Sequence, residues 1–323
     1  MAFESLTERD TRTDAFTQAT AAASHAPSIH NTQPWRWRQV NGVLELRLEE
    51  QRTLPVTDPD LRLAILSCGA ALQHARTALA ALGWAATVSR LPDPNTPGVL
   101  ARISLDGPTA VDPQAVRDLA AIPTRRTDRR PGTGVEVPDE VLQAMAQAAD
   151  LDGGRIHILR PEQRLTLAAA TDHAQSAEAA DPEWHREMAH WTDGMRPEGA
   201  GIPDRLIPET AAQTTVHGRD FGHQGNLPVG TEHDPSAVFA LLYGDGDEPI
   251  DWLRAGEAMA AAWLVAAERG VAVMPISAPV EIVSTRQILR RLISDLGYPY
   301  LVLRLRMAQP GEPGLPGTPR LSE

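Results

Sequence analysis

The 323-residue chain contains no lysine; all thirty of its basic residues are arginine. A pyridoxal enzyme needs a Schiff-base lysine, a P-loop NTPase a phosphate-binding lysine, and a protein kinase a strand lysine, so these classes are excluded. There is one cysteine, Cys68, and therefore no internal disulfide. Aromatic residues make up only 4%, against 42% apolar residues in all, so alanine, leucine and valine must carry the core. No uncharged apolar run reaches 18 residues, and no transmembrane helix is expected. The N-terminal MAFESLTERDTRTD is polar and acidic, unlike a signal or transit peptide, which makes the cytoplasm the simplest address. A net charge of −12 argues against nucleic-acid and anionic-membrane partners. The ten histidines include no HExxH, and His185 and His190 are five apart, the wrong spacing for one helical face. They read as solvated surface residues, with no metal site. No GxGxxG follows a strand pattern; GDGDEP at 244–249 reads as a turn before a helix.

What the sequence does contain is a repeat. In LRLAILSCGAALQHARTALAAL, residues 61–82, apolar residues fall at 61, 65, 68, 72, 75, 79 and 82, the spacing of a helix with a buried face. Gly83 stops it, and strands are expected at 84–91 and 99–105. A second long helix starts near 251 and ends at Gly270, with VAVMPISAPV and YLVLRLR as the following strands. Gly69 and Gly83 are fourteen residues apart, as are Gly256 and Gly270. This alignment places Val88 over Pro275 and Arg90 over Ser277. Two homologous halves follow, 1–110 and 111–323, packed about a pseudo-two-fold axis as an isologous dimer would be. A ligand site would lie between them.

The second half carries an apparent insertion at about 181–249. It opens with DPEWHREMAHW, an amphipathic helix capped by Asp181, and continues rich in glycine and proline. Such a length is either a lid or a disordered excursion. Trp184, Trp191 and Phe221 give it something to bury, which favours a lid. The C-terminal QPGEPGLPGTPRLSE taken alone reads as a disordered tail.

Three segments could carry chemistry. In APSIHNTQPW, Pro27 and Pro34 fix the backbone at both ends of a loop, while Ser28, Asn31 and Gln33 offer donors and acceptors within one arc. That arc suits the edge of a flat heterocycle; a capped helix-to-strand turn is the other reading. For His30, a ring-facing donor and a packing residue both remain open. In RRTDRR, residues 125–130, four arginines invert the local field of an acidic protein and would attract an anion such as phosphate; a solvated basic loop is the alternative. In Pro275-Ile276-Ser277-Ala278, small residues at a strand end let a planar ligand approach the backbone, although an ordinary turn looks the same.

Taken in order, APSIHNTQPW, LPVTDPDLRLAILSCGAAL, RRTDRRP, PISAP and the terminal PGTPR resemble the nitroreductase superfamily of FMN proteins, in its Acg-like branch. The resemblance covers essentially the whole chain and implies an α+β fold: a mixed, mainly antiparallel sheet flanked by long helices, in two fused pseudo-symmetric halves. It implies an FMN-dependent oxidoreductase passing hydride from NAD(P)H to a small-molecule electron acceptor such as a nitro compound or quinone. The alternative is a flavin store or redox sensor with little NAD(P)H turnover. The implied flavin contacts are Pro27, Ser28, Ile29, His30, Asn31 and Gln33 from the loop, Arg125, Arg126, Thr127 and Arg129 at the ribityl and phosphate groups, and Pro275, Ile276, Ser277 and Ala278 at the ring. Arg320 would reach the phosphate from the tail. No catalytic acid or base is implied, since the flavin is the reactive group. Ser277 and Ala278 depart from the family's acidic-glycine pair. The first half lacks the arginine element and has Arg90 at the aligned strand end, and the second half lacks PSxxNxQPW. One flavin site per chain is therefore expected. Fused halves remove the need for a dimer, so a monomer is the default, with a homodimer open.

Overall fold

The computed structural model describes residues 6–132, 134–192, 196, 198–230, 234–308 and 314–322, with side chains from residue 10 onward. Parts of the expected insertion (193–195, 197 and 231–233) and tail (309–313) lie outside the described residues.

The first half begins with helix α1 (Leu6–Ala23), followed by the hairpin β1 (Trp35–Val40) and β2 (Val43–Leu48). Asn41 and Gly42 close that hairpin at φ 50° and 78°, the left-handed conformation that matches strand twist. Helix α2 (Arg62–Ala81) leads into β3 (Trp84–Arg90) and β4 (Val99–Pro108). These strands form an antiparallel sheet in the order β1-β2-β4-β3. Helices α3 (Pro113–Ala121) and α4 (Asp139–Leu151) precede the second sheet. It contains β5 (Arg155–Ile158), β6 (Val238–Gly244), β7 (Val271–Ile276) and β8 (Tyr298–Met307), in the order β5-β6-β8-β7. Adding four to each strand number maps one sheet onto the other. Helix α7 (Pro249–Glu268) stands before β7 as α2 stands before β3. The long helices end where expected, at Gly83 and Gly270, with φ 75° and 71°. Every ladder in both sheets is antiparallel, and parallel pairing among the described residues is confined to isolated bridges such as Thr127–Val273.

Between β5 and β6 come α5 (Pro161–Ala179), α6 (Pro182–Thr192) and a long irregular stretch. This corrects the expected limits of the insertion. Residues 238–244 (VFALLYG) are not loop but β6, a central strand bonded to both β5 and β8. Its near-continuous apolar run hid the alternation that marks a half-exposed strand. Helices α8 (Ala278–Glu281) and α9 (Val283–Leu292) join β7 to β8. Among the described residues no helix is long and apolar enough to cross a membrane.

The halves meet where α2 crosses α7, through two glycines. A Cβ on Gly69 would lie 2.0 Å from the Leu253 carbonyl oxygen, and one on Gly256 would lie 1.9 Å from that of Leu66. The contact is reciprocal: 253 − 66 and 256 − 69 both equal 187, the repeat offset. One continuous core runs through the crossing, from Phe16, Leu46 and Leu72 to Phe239, Trp263 and Leu303.

In an exposed helix, Gly→Ala gains about 1 kcal/mol of helix propensity. At this crossing the added methyl meets backbone that cannot move aside. Gly69→Ala is therefore expected to lose about 1–3 kcal/mol in denaturant unfolding. An unchanged or raised midpoint would show that the helices do not cross this closely.

Candidate functional site

The arginine-rich segment is sorted by one aspartate. The Asp128 amide donates to the Val273 carbonyl, 3.0 Å, adding the segment to the edge of β7. The Asp128 carboxylate takes Arg130 at 2.8 Å and pairs with the buried Arg306. Burial would raise its pKa, but these arginines outweigh burial and hold it below the usual carboxylate range. Arg304 donates to the Arg130 carbonyl at 2.7 Å. Arg130 is thus consumed structurally, while Arg125, Arg126, Thr127 and Arg129 face one cavity between the halves.

In that cavity Arg125 is 5% exposed and lies over the Trp263 ring, 4.3 Å from its centroid. One nitrogen donates to the His25 carbonyl at 3.1 Å, while Nε and Nη1 meet no acceptor among the described residues. Arg320 arrives from the tail and donates to the carbonyls of Ala26 and His25, at 2.8 and 2.9 Å. Among the described residues Arg126 bonds backbone oxygens, of Pro123, Arg125 and Leu315. None of the three has an acidic partner among the described residues. Burial, then the neighbouring Arg320 and Arg126, pull the Arg125 pKa well below its ordinary value; burial and Arg126 pull Arg320 down to about 10. Three guanidiniums in one partly dry corner constitute a strong demand for an anion.

Facing them is the loop after α1. His30, Asn31 and Gln33 adopt φ of 44°, 55° and 50°. Such left-handed backbone costs of order 1 kcal/mol or more per residue and persists only where its surroundings impose it. Ser67 accepts from the Ile29 amide at 3.1 Å, and Ser28 from the Gln33 amide at 3.0 Å. The Asn31 amide group donates to the carbonyls of Gly201 and Pro319, each at 3.0 Å. Gln33 donates to the Gly199 carbonyl at 2.8 Å and accepts from the Leu321 amide at 3.1 Å. The loop thus pins both the insertion and the tail beside the cavity. Of the expected contacts, Pro27, Ser28, Ile29, His30 and Asn31 line it, while Gln33 stands outside, because its amide is engaged by Gly199 and Leu321.

The strand end Pro275, Ile276, Ser277 and Ala278 forms a third wall, and Arg320 completes the expected set. The apolar floor comes from Leu63 and Leu66 of α2, Met259 of α7, Met274 and Leu301. The insertion closes the rest with Ile202, Leu206, Arg219 and Phe221. Its expected burial is real: Trp184, Met188, Ile202, Leu206, Ile207 and Phe221 form a small core, and Trp191 packs on Leu54 and Ala200. Sequence reasoning missed Ile202, Leu206 and Arg219. They sit in Gly/Pro-rich chain with no periodicity, and Phe221 was the one visible signal. His30 is 6% exposed, meets Phe221 edge-on with centroids 6.3 Å apart, and has no partner for Nε2 among the described residues. Burial, then Arg219, lowers its pKa to about 3, so it is neutral.

The pseudo-symmetric location differs. Arg90, aligned with Ser277, grips Glu257 through two bonds of 2.6 and 2.7 Å. Arg76 joins Glu257 and Asp152, each at 2.7 Å, and Glu257 is fully buried. Burial opposes the Arg76 charge, but Asp152 and Glu257 outweigh it and raise its pKa. No metal-binding cluster of His, Cys, Asp or Glu occurs among the described residues.

No protein-family profile matches the chain. Full-length relatives do. A Mycobacterium tuberculosis protein named "Putative NAD(P)H nitroreductase Rv3131" is 39% identical over 308 residues, covering 92% of this chain and 86% of the relative. Another from that organism, named "Putative NAD(P)H nitroreductase acg", is 34% identical over 311 residues, covering 95% and 93%. The chain belongs to the nitroreductase superfamily. Among solved structures, a nitroreductase with bound FMN from Desulfitobacterium hafniense aligns over 64% of this chain and 94% of its own, at 14% identity and TM-score 0.39.

The insertion is latched at a second point. Glu187 of α6 accepts from the Val56 and Thr57 amides, both at 2.9 Å, and from the Thr57 hydroxyl at 2.6 Å. Glu187→Ala would leave those donors without their acceptor, at about 1–3 kcal/mol. Hydrogen exchange is expected to quicken at Val56, Thr57 and α6 while α2 and α7 stay protected. Unchanged exchange at Val56 and Thr57 would show that Glu187 does not hold the insertion.

Proposed function

We propose that this chain is an FMN-dependent NAD(P)H oxidoreductase of nitroreductase type, with one flavin site between its two halves and a nitro- or quinone-like electron acceptor. The observation that carries the reading is Arg125: a buried guanidinium with two unpartnered nitrogens, beside Arg126 and Arg320, none of them paired with an acid among the described residues. The residues fit FMN. The arginine corner suits a phosphate monoester, and Thr127 and Arg129 extend it along a polyhydroxyl chain. The apolar floor and the small Ser277 and Ala278 leave room for a flat ring.

When bound, the flavin supplies the hydride-transfer chemistry. The protein's part is to hold the phosphate with Arg125, Arg126 and Arg320, to exclude water with Leu63, Leu66, Met259 and Leu301, and to keep His30 neutral beside the ring site. The matching sheet orders and the reciprocal Gly69–Gly256 contact support two duplicated halves, with the boundary near residue 110 between β4 and α3. The Arg90–Glu257–Arg76–Asp152 network supports a single site per chain, because it fills the pseudo-equivalent place with paired charge. The reading includes a monomeric, cytoplasmic enzyme.

A second reading, flavin storage or redox sensing, is favoured by one observation: the insertion walls the cavity with Arg219 and Phe221, which narrows access for a nicotinamide. Anaerobic mixing with NADH or NADPH separates the two. Bleaching of the flavin absorbance within seconds is expected for the reductase, and a persistent oxidised spectrum for the store or sensor. Arg126→Ala removes one charge-assisted phosphate contact worth about 1.5–3 kcal/mol, so the Kd for FMN is expected to rise about ten- to a hundred-fold. Unchanged affinity would refute the phosphate role.

A further inference from the structure

Beside the flavin cavity an open groove runs through the insertion. The two share Arg129, Arg219, Phe221 and Met274, and Glu178 lines the groove at that junction. Three chain segments converge there: the end of α5, the insertion loop at 219, and α8 directly after the strand end. Arg219 bonds Glu178 at 2.9 Å and Glu281 at 2.5 Å, and it also reaches the Ser277 hydroxyl at 3.3 Å. All three charged side chains are nearly sealed, with 8%, 7% and 3% of their surface exposed.

Two carboxylates on one guanidinium leave a surplus negative charge in a dry place. Glu178 Oε1 and Glu281 Oε2 meet no donor among the described residues. Both carboxylates converge on the one Arg219 guanidinium, which holds them in the same sealed corner. A single proton placed between them satisfies both oxygens and removes the surplus charge, as in other close carboxyl pairs. We propose that Glu178 and Glu281 share one proton across Arg219, and that Glu178 is the acid that protonates the acceptor as it is reduced.

This rests on the flavin reading above. The acceptor gains a hydride, with its electron pair, from reduced flavin, and a proton from Glu178. The Glu178 O–H bond breaks, and the pair regains a proton from water in the groove. Glu281 is a positioning residue that keeps the proton on Glu178. Burial is the larger cause lifting Glu178, to about 8, and Arg219 holds Glu281 below its ordinary value despite burial. Glu178 is therefore protonated at neutral pH and loses its proton as pH rises through about 8. Among the described residues the other titratable or charged groups near the pair include Arg129, which lines both the cavity and the groove, Asp58 and His30; His30 is neutral and has no spare proton to give.

Infrared spectra of the purified chain test the proton directly. The Glu178 component of the protonated-carboxyl absorption at pH 7 is expected to disappear in Glu178→Gln, which keeps a donor toward Glu281 and so keeps the fold; Asp58, raised by burial to about 7, keeps its own component. If wild type and Glu178→Gln show the same carboxyl band, the shared proton is wrong. The role is tested by reoxidising dithionite-reduced flavoprotein with a quinone, which needs a proton, and with ferricyanide, which does not. The quinone-to-ferricyanide rate ratio is expected to fall about a hundred-fold in Glu178→Gln. In Glu281→Gln the fall of that ratio with pH is expected to shift to lower pH, because the carboxylate that holds the proton on Glu178 is gone. Ratios unchanged in both variants would overturn the acid role. Failure of the flavin reading itself shows separately, as protein that takes up no FMN, while the infrared test still reads the pair.

Discussion

The structure depends on how closely α2 and α7 approach. Two glycines, each pressed against a carbonyl of the partner helix, set that distance. Any side chain at either position would push the halves apart. At this separation the loop after α1 and the tail residue Arg320 come within reach of the segment at 125–129 and the end of β7. The cavity is the consequence. No single half builds it, since one half supplies the polar loop and the other supplies the arginines and the strand end.

Charge is distributed in three distinct ways around this frame. At Asp128, arginines share one carboxylate and nearby carbonyls and are used as structure, so that β8 can carry Arg304 and Arg306 in a buried position. At Glu257, the pseudo-equivalent site is filled by paired ions. At Arg125, by contrast, buried cations lack any acidic partner in the described structure. A folded protein tolerates such a corner when something outside the chain brings the missing charge. That contrast within one molecule supports the reading of the Arg125 corner as a binding site rather than a structural network.

Much of this was legible in the sequence because it is periodic or locally dense. The four-three spacing of 61–82 and its counterpart at 251–270 marked the two long helices. The shared glycine spacing marked the two halves with matching sheet orders, and four arginines in six residues marked the segment that faces the cavity. The resemblance supplied the order in which loop, arginines, strand end and tail belong together. What was not legible depends on tertiary contact. Residues 238–244 looked like part of an insertion because a doubly covered strand shows no alternation. Gln33 looked like a ligand contact, but Gly199 and Leu321, distant in sequence, engage its amide. Arg219, Glu178 and Glu281 lie in three separate segments, and no local pattern announces that they meet.

The central claim is that one anion-demanding cavity between the halves holds one flavin phosphate, while the pseudo-equivalent place is closed. Titration of purified apoprotein with FMN, followed by flavin absorbance and calorimetry, tests it most directly. The account predicts saturation at one FMN per chain. Saturation at two, or no binding at all, would contradict it.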